Sequence, residues 1–170
     1  MSCIVANSLS KSYGSIIAVD GIDLSVNSGK IFGFLGPNGA GKTTTIKLLT
    51  TLIPPTRGTI NILGTDATQH PLEVRKKIGV VLQQPSYEPT LSVEKSLEKY
   101  GMMWNIESKT RKDRVEELLS SFDLEEIRNI KNEDLSIGQR RRVQVAREFM
   151  HDMKLLFLDE PTVGLDPSAR

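Results

Sequence analysis

The stretch GPNGAGKTTT, residues 36–45, has the spacing G-x-x-x-x-G-K-[ST], and that spacing holds phosphate. Gly36, Gly39 and Gly41 let the backbone fold tightly enough for successive N–H groups to face phosphate oxygens. Pro37, Asn38 and Ala40 complete the loop, and the helix expected from the apolar spacing of IKLLTTL adds its positive end. Lys42 would reach the β and γ phosphates, with Thr44 beside it in the first turn. The Thr43 hydroxyl would ligate Mg²⁺, a hard cation usually shared between protein oxygens and substrate phosphate. A second chemistry lies in LLFLDEPT, where a four-residue apolar run ends in Asp159 and Glu160. Asp159 suits the Mg²⁺ shell, and Glu160 is placed to polarise an attacking water. A third lies in LSIGQRRRVQ, where Ser136 is a good helix N-cap and Gln139 stands at the N3 position of a capping box. The Ser136 hydroxyl and the N–H groups of Ile137, Gly138 and Gln139 would then point at a phosphate from a helix N-terminus.

The elements that must position these groups are legible as hydrophobic patterns. The alternation Ile22, Leu24, Val26 predicts a half-buried antiparallel strand, whereas KIFGFLG is a continuous apolar run of the kind buried on both faces of a parallel sheet. The strand Ile31 to Leu35 is therefore expected to run straight into the phosphate loop. IPPTRGTINILG supplies a turn and another alternating run, PLEVRKKI a short helix, and IGVVLQ a strand. From Ser92 to Met150 strand signals give way to helical spacing such as Val115, Leu118, Leu119 and Phe122, before LLFLDEP returns to a buried strand. The fold class is α/β, a mixed sheet with an N-terminal antiparallel part and an inserted helical subdomain. Residues 1–90 and 152–170 would form the core and residues 91–151 the helical part. Carboxylates at the end of a buried strand lie where open α/β sheets bind ligands.

At 170 residues the chain has the length of one domain. Its 22 Lys and Arg nearly balance 21 Asp and Glu, so no global field argues for nucleic acid or lipid. Consecutive helix residues point about 100° apart, so Arg140, Arg141 and Arg142 fan around a helix and form no nucleic-acid stripe. Cys3 is the only cysteine, Asn7, Ser8, Ser10 and Lys11 interrupt any leader-like run, and no apolar stretch approaches bilayer length. A cytosolic chain is expected.

The loop GPNGAGKTTT, the strand end VVLQQP with Gln83, the segment LSIGQRRRVQVARE, the strand LLFLDEP and the turn TVGLDP stand in the order of the ATP-binding cassette (ABC) ATPases, which the sequence resembles over almost its whole length. KTTTIKLL and GLDPSAR look most like the ATP-binding subunits of ABC-2-type exporters, the drug- and polymer-exporting group. The resemblance implies a phosphate-loop NTPase core that binds ATP and Mg²⁺. It makes Tyr13 the aromatic that stacks on adenine, Gln83 a hinge glutamine that touches Mg²⁺ and water, and Asp166 the aspartate linking two nucleotide sites. The alternative for Tyr13 is an ordinary turn-flanking aromatic, and Asp166 taken alone is equally an Asp-Pro turn starter. The stretch after Gln83, with Tyr87 and YGMMW, resembles the region that docks a membrane subunit, although Met102, Met103 and Trp104 would also fill a helix core.

In the family two cassettes pair head to tail, and each ATP lies between the phosphate loop of one and the signature segment of the other. The resemblance thus implies a second ATPase subunit, a copy or a paralogue, and an integral membrane permease that would hold the chain at the cytoplasmic face. The family signature has glycines at both middle positions, and here the first is Ile137, an N1 position that needs no glycine. The family pattern continues past the Asp166 loop with a helix, a core strand and a histidine that contacts the γ-phosphate. His70 and His151 precede the Asp159 strand and do not match that histidine. The expectation is a cassette whose last core strands are absent, marginally stable and poorly active as a 170-residue piece. Two other functions remain open at this point: a soluble ABC ATPase outside transport, and a nucleotide-binding module without catalysis.

Overall fold

The computed structural model describes residues 1–83 and 86–160, and the chain divides into two compact units, Met1–Ile78 and one from Gly79 onward. The first unit is built on a four-stranded antiparallel sheet. β1 (Ser2–Tyr13) and β2 (Ile16–Asn27) form a long hairpin, β3 (Arg57–Ile62) pairs with the other edge of β1, and the short β4 (Thr65–Asp66) pairs with β3. The antiparallel strand expected from Ile22, Leu24 and Val26 is β2, in register with Leu9, Ala6 and Ile4 of β1. Ile4, Ala6 and Leu9 from β1 and Ile60 and Ile62 from β3 are buried. The helix α1 (Lys42–Leu49) adds buried Ile46, Leu48 and Leu49, and α2 (Pro71–Arg75) follows with proline in its first turn, where a missing N–H costs nothing.

The strand expected at residues 31–35 does not form. Residues 30–37 carry no regular structure, and Ile31 and Leu35 are essentially fully exposed, at 104% and 96%. Phe32 and Phe34 meet edge to face, with ring centroids 5.2 Å apart. An apolar run becomes a strand when a neighbour takes its backbone hydrogen bonds. The sheet of this unit, in the order β2-β1-β3-β4, does not include it.

The second unit carries the helical part. Its helices α3 (Val93–Met103), α4 (Ser108–Ser121) and α5 (Ile137–Glu148) pack around Val93, Leu97, Val115, Leu118, Leu119, Val143, Ala146 and Met150, with Leu124 and Leu135 from the connections. The helical spacing of Val115, Leu118 and Leu119 is thus a real core face. Two strands, β5 (Ile78–Val81) and β6 (Leu155–Leu158), hydrogen-bond to each other, with β5 beginning one residue before the unit boundary. Among the described residues no helix is long and apolar enough to cross a membrane.

Candidate functional site

The phosphate loop belongs to the first unit. Gly41 is the N-cap of α1 and sits at φ +82°, in the left-handed region. A Cβ there would lie 2.5 Å from the Ala18 carbonyl oxygen, so both the dihedral and the space require glycine. With glycine as cap there is no side-chain capping hydrogen bond, and no acidic residue stands in the first turn of the helix. The positive end of the helix thus carries no acidic residue in its own first turn, an arrangement suited to an anion. Lys42 donates its ammonium to the carbonyls of Gly36 and Pro37, both at 2.8 Å, and so closes the loop on itself. Thr43 occupies the second position of the helix. Tyr13 ends β1 at the hairpin turn with half of its surface exposed, and the Lys11 ammonium lies 5.2 Å from its ring centroid.

The acidic pair belongs to the second unit. Asp159 is buried just past the end of β6, and its N–H donates to the Val81 carbonyl of β5 at 2.9 Å. The next residue, Glu160, turns sharply at φ +48°, a conformation uncommon for a residue with a Cβ. Across 77 residues of sequence, the Gln83 carboxamide donates from Nε2 to Glu160 Oε2 at 2.7 Å. Sequence reasoning gave Gln83 and Glu160 separate tasks; the fold brings their side chains into direct contact.

The signature helix α5 also lies in the second unit, and its start forms the expected capping box, which engages the Gln139 N–H expected to face phosphate. Ser136 Oγ accepts from the Gln139 N–H at 3.2 Å, and Gln139 Oε1 accepts from the Ser136 N–H at 2.9 Å, which makes a reciprocal capping box. Ile137 is the first helical residue and 63% exposed, so its side chain fills no core. The arginines fan as anticipated, but to unanticipated partners. Arg140 donates to the Glu133 and Leu135 carbonyls and stacks over the Tyr87 ring at 4.5 Å. Arg142 lies near the Phe122 and Asp123 carbonyls. Arg141 is buried, with 7% of its surface exposed. Its Nη1 donates to the Leu82 carbonyl at 2.6 Å, and its Nη2 to the carbonyls of Asp159 at 2.8 Å and Glu160 at 3.3 Å. Burial lowers its affinity for the proton while the neighbouring Asp159 charge opposes that shift.

Arg141 belongs to a second buried face of α5. Arg141, Gln144 and Glu148 stand at i, i+3 and i+7, all buried, beside the apolar face of Val143, Ala146 and Met150. At the far end Glu148 accepts from the Val80 N–H at 3.2 Å and from the Tyr100 hydroxyl at 3.0 Å. Burial, and next the Glu148 charge, push the Tyr100 hydroxyl pKa up to about 12. Arg147 donates to the Ser86 carbonyl at 2.7 Å and stacks over Tyr100 at 4.8 Å. None of these roles was drawn from the sequence, although large polar residues at i, i+3 and i+7 on a helix with an apolar face already complete were the available signal. Trp104 stacks on His151 with ring centroids 4.0 Å apart, so this residue of the YGMMW stretch packs inward, while Met102 and Met103 are exposed. Asp166 lies outside the described residues.

Comparison with known proteins places this architecture. Residues 19–163 match the family model described as ABC transporter. The chain is 43% identical over 160 residues to the Nod factor export ATP-binding protein I of Cupriavidus metallidurans, covering 94% of this chain and 53% of that protein. It is 41% identical over 167 residues to the daunorubicin/doxorubicin resistance ATP-binding protein of Streptomyces peucetius, covering 98% and 51%. The chain thus spans about half the length of the curated relatives it matches. Among solved structures it resembles a dimeric ATP-binding cassette in a post-hydrolysis state bound to ADP and Pi, with a TM-score of 0.86 and 27% identity over 97% of this chain and 77% of that one.

Proposed function

This chain belongs to the ABC transporter family, and from that premise we propose that it is the ATP-binding and ATP-hydrolysing subunit of an exporter. The names of the two relatives, a Nod factor export protein and a drug resistance protein, support the direction of transport. The observation that carries hydrolysis is the Gln83–Glu160 hydrogen bond at 2.7 Å, which fixes a carboxylate at a strand end against an amide able to orient water. In this reading the phosphate loop from Gly36 to Thr44 holds the phosphates of ATP, Tyr13 stacks on its adenine, and Glu160 accepts a proton from the attacking water. The signature residues Ser136, Ile137, Gly138 and Gln139 meet the γ-phosphate of ATP held by a second subunit, and Asp166 links the two sites.

The donor types expected from the sequence suit Mg²⁺. Thr43 offers a hydroxyl, Gln83 a carboxamide oxygen and Asp159 a carboxylate, a hard and sparse set that suits a cation completing its shell with water and phosphate. When bound, the ion would neutralise charge on the phosphate oxygens.

Exposed Met102 and Met103 at the end of α3 support docking of a membrane permease on this face, which would place the subunit at the cytoplasmic side of a membrane. The division into a core (1–90 and 152–170) and a helical part (91–151) is proposed on the same footing. The test is ATP turnover by the intact subunit beside its Lys42→Ala variant. Turnover that falls by about a hundredfold or more with the fold retained supports the reading, on the scale of removing one transition-state donor; equal turnover refutes it.

A further inference from the structure

The buried guanidinium of Arg141 bridges the ends of two strands. Leu82 follows β5 and precedes Gln83, while Asp159 and Glu160 follow β6, so the three carbonyls it grips lie beyond the last residues of both strands. Nη1 serves one strand end and Nη2 the other, a division between two nitrogens of a rigid planar fork, whereas a lysine would have to reach both ends from one atom. One of the accepted carbonyls belongs to Glu160, whose backbone turns at φ +48° and whose carboxylate is bonded to Gln83. Gln144, one turn along the same helix, accepts from Nη1 at 3.2 Å and fixes the fork. We propose that Arg141 is a positioning residue for hydrolysis, holding the backbone of the Gln83 and Glu160 segments in the one relative placement that sets the water-orienting amide against the base. It acts through those two residues and touches no substrate.

The inference rests on the proposed roles of Gln83 and Glu160. It separates the two ends of the site, because the Ser136–Gln139 capping box closes on itself and takes nothing from Arg141. Loss of Arg141 should therefore leave ATP binding and ATP-driven pairing in place while slowing the chemical step.

In the intact subunit, Arg141→Lys and Arg141→Gln should lower kcat by about tenfold to a hundredfold, the scale of an ångström-level misplacement of a reacting group, with the ATP dissociation constant within about threefold of the parent. Both variants should accumulate an ATP-bound dimer that the parent clears by turnover, and the lysine variant should retain the higher rate. Should Arg141→Gln fail to fold, Arg141→Lys carries the test. Parent-like kcat in the lysine variant overturns the inference, as does a loss of kcat that follows the unfolded fraction with no dimer accumulating. Glu160→Gln measured alongside separates the two levels. Parent-like turnover there defeats the assignment of the base, whereas a trapped dimer there beside parent-like Arg141 variants defeats this inference alone.

Discussion

Replacing Ser136 by alanine and, separately, Ile137 by glycine distinguishes a working signature from a decayed one. Ser136→Ala removes the acceptor of the Gln139 N–H at 3.2 Å and leaves the reverse bond at 2.9 Å, half of a capping box. Loss of such a cap costs about 1 kcal/mol, which on a chain of this size lowers Tm by about 2–4 °C. Ile137 is exposed at N1, so Ile137→Gly opens no cavity and costs only the propensity difference, about 0.5 kcal/mol. The two penalties are similar, but the effects on ATP-driven pairing should not be. Ser136→Ala also removes a hydroxyl that would bond a charged phosphate, worth about 1.5–3 kcal/mol, so the ATP-bound dimer should weaken by about ten- to a hundredfold. Ile137→Gly keeps the N–H groups at the helix start and should stay within about threefold. Sedimentation of the intact subunit across an ATP titration reads both. A tenfold gain in pairing for Ile137→Gly, or parent-like pairing for Ser136→Ala, would refute the reasoning.

Gly41→Ala should abolish tight nucleotide binding while the sheet persists, because φ +82° costs a side chain about 1–2 kcal/mol and the Cβ also meets the Ala18 carbonyl. Gly39→Ala, at φ +85° but in open space, should bind more tightly than Gly41→Ala, and calorimetric titration with ATP would rank them. The raised Tyr100 pKa gives a signed pH dependence. The folded chain keeps the hydroxyl proton up to about pH 12 while the unfolded chain loses it near the ordinary tyrosine value of 10.0, so stability is intact below pH 10 and falls as pH rises through that window. At about 1.4 kcal/mol per unit, reduced for partial exposure, the fall is about 1–2 kcal/mol. Urea melts across that range should show it in the parent and lose it in Tyr100→Phe; the same slope in both would exclude Tyr100 as the source.

The parts of the fold legible in the sequence are those fixed by local pattern. The α1 start follows from glycine before a lysine-threonine run, the α5 cap from serine and glutamine three apart, and the α4 core face from Val115, Leu118 and Leu119. What failed was a judgement about pairing. Residues 31–35 have the composition of a central strand, but composition states only what a strand would bury and not whether a neighbour supplies its hydrogen bonds. The site shows the same division. Lys42, Asp159 and Glu160 are visible as motif positions, whereas the Gln83–Glu160 bond and the grip of Arg141 on Leu82 and Asp159 join residues distant in sequence. Arg141 was hidden further by its neighbours: one of three consecutive arginines looks like surface charge until the buried partners Gln144 and Glu148 are seen on the same helix face.

The central claim, that Glu160 is the base of an ATPase whose subunits pair around ATP, is met most directly by Glu160→Gln in the intact subunit. The substitution keeps shape and hydrogen-bonding capacity but removes the negative charge that accepts the proton. The variant should bind ATP, hold a stable ATP-bound dimer on a sizing column and hydrolyse at least about a hundredfold more slowly than the parent. A variant that elutes as a monomer in ATP and turns over at the parent rate would contradict the account.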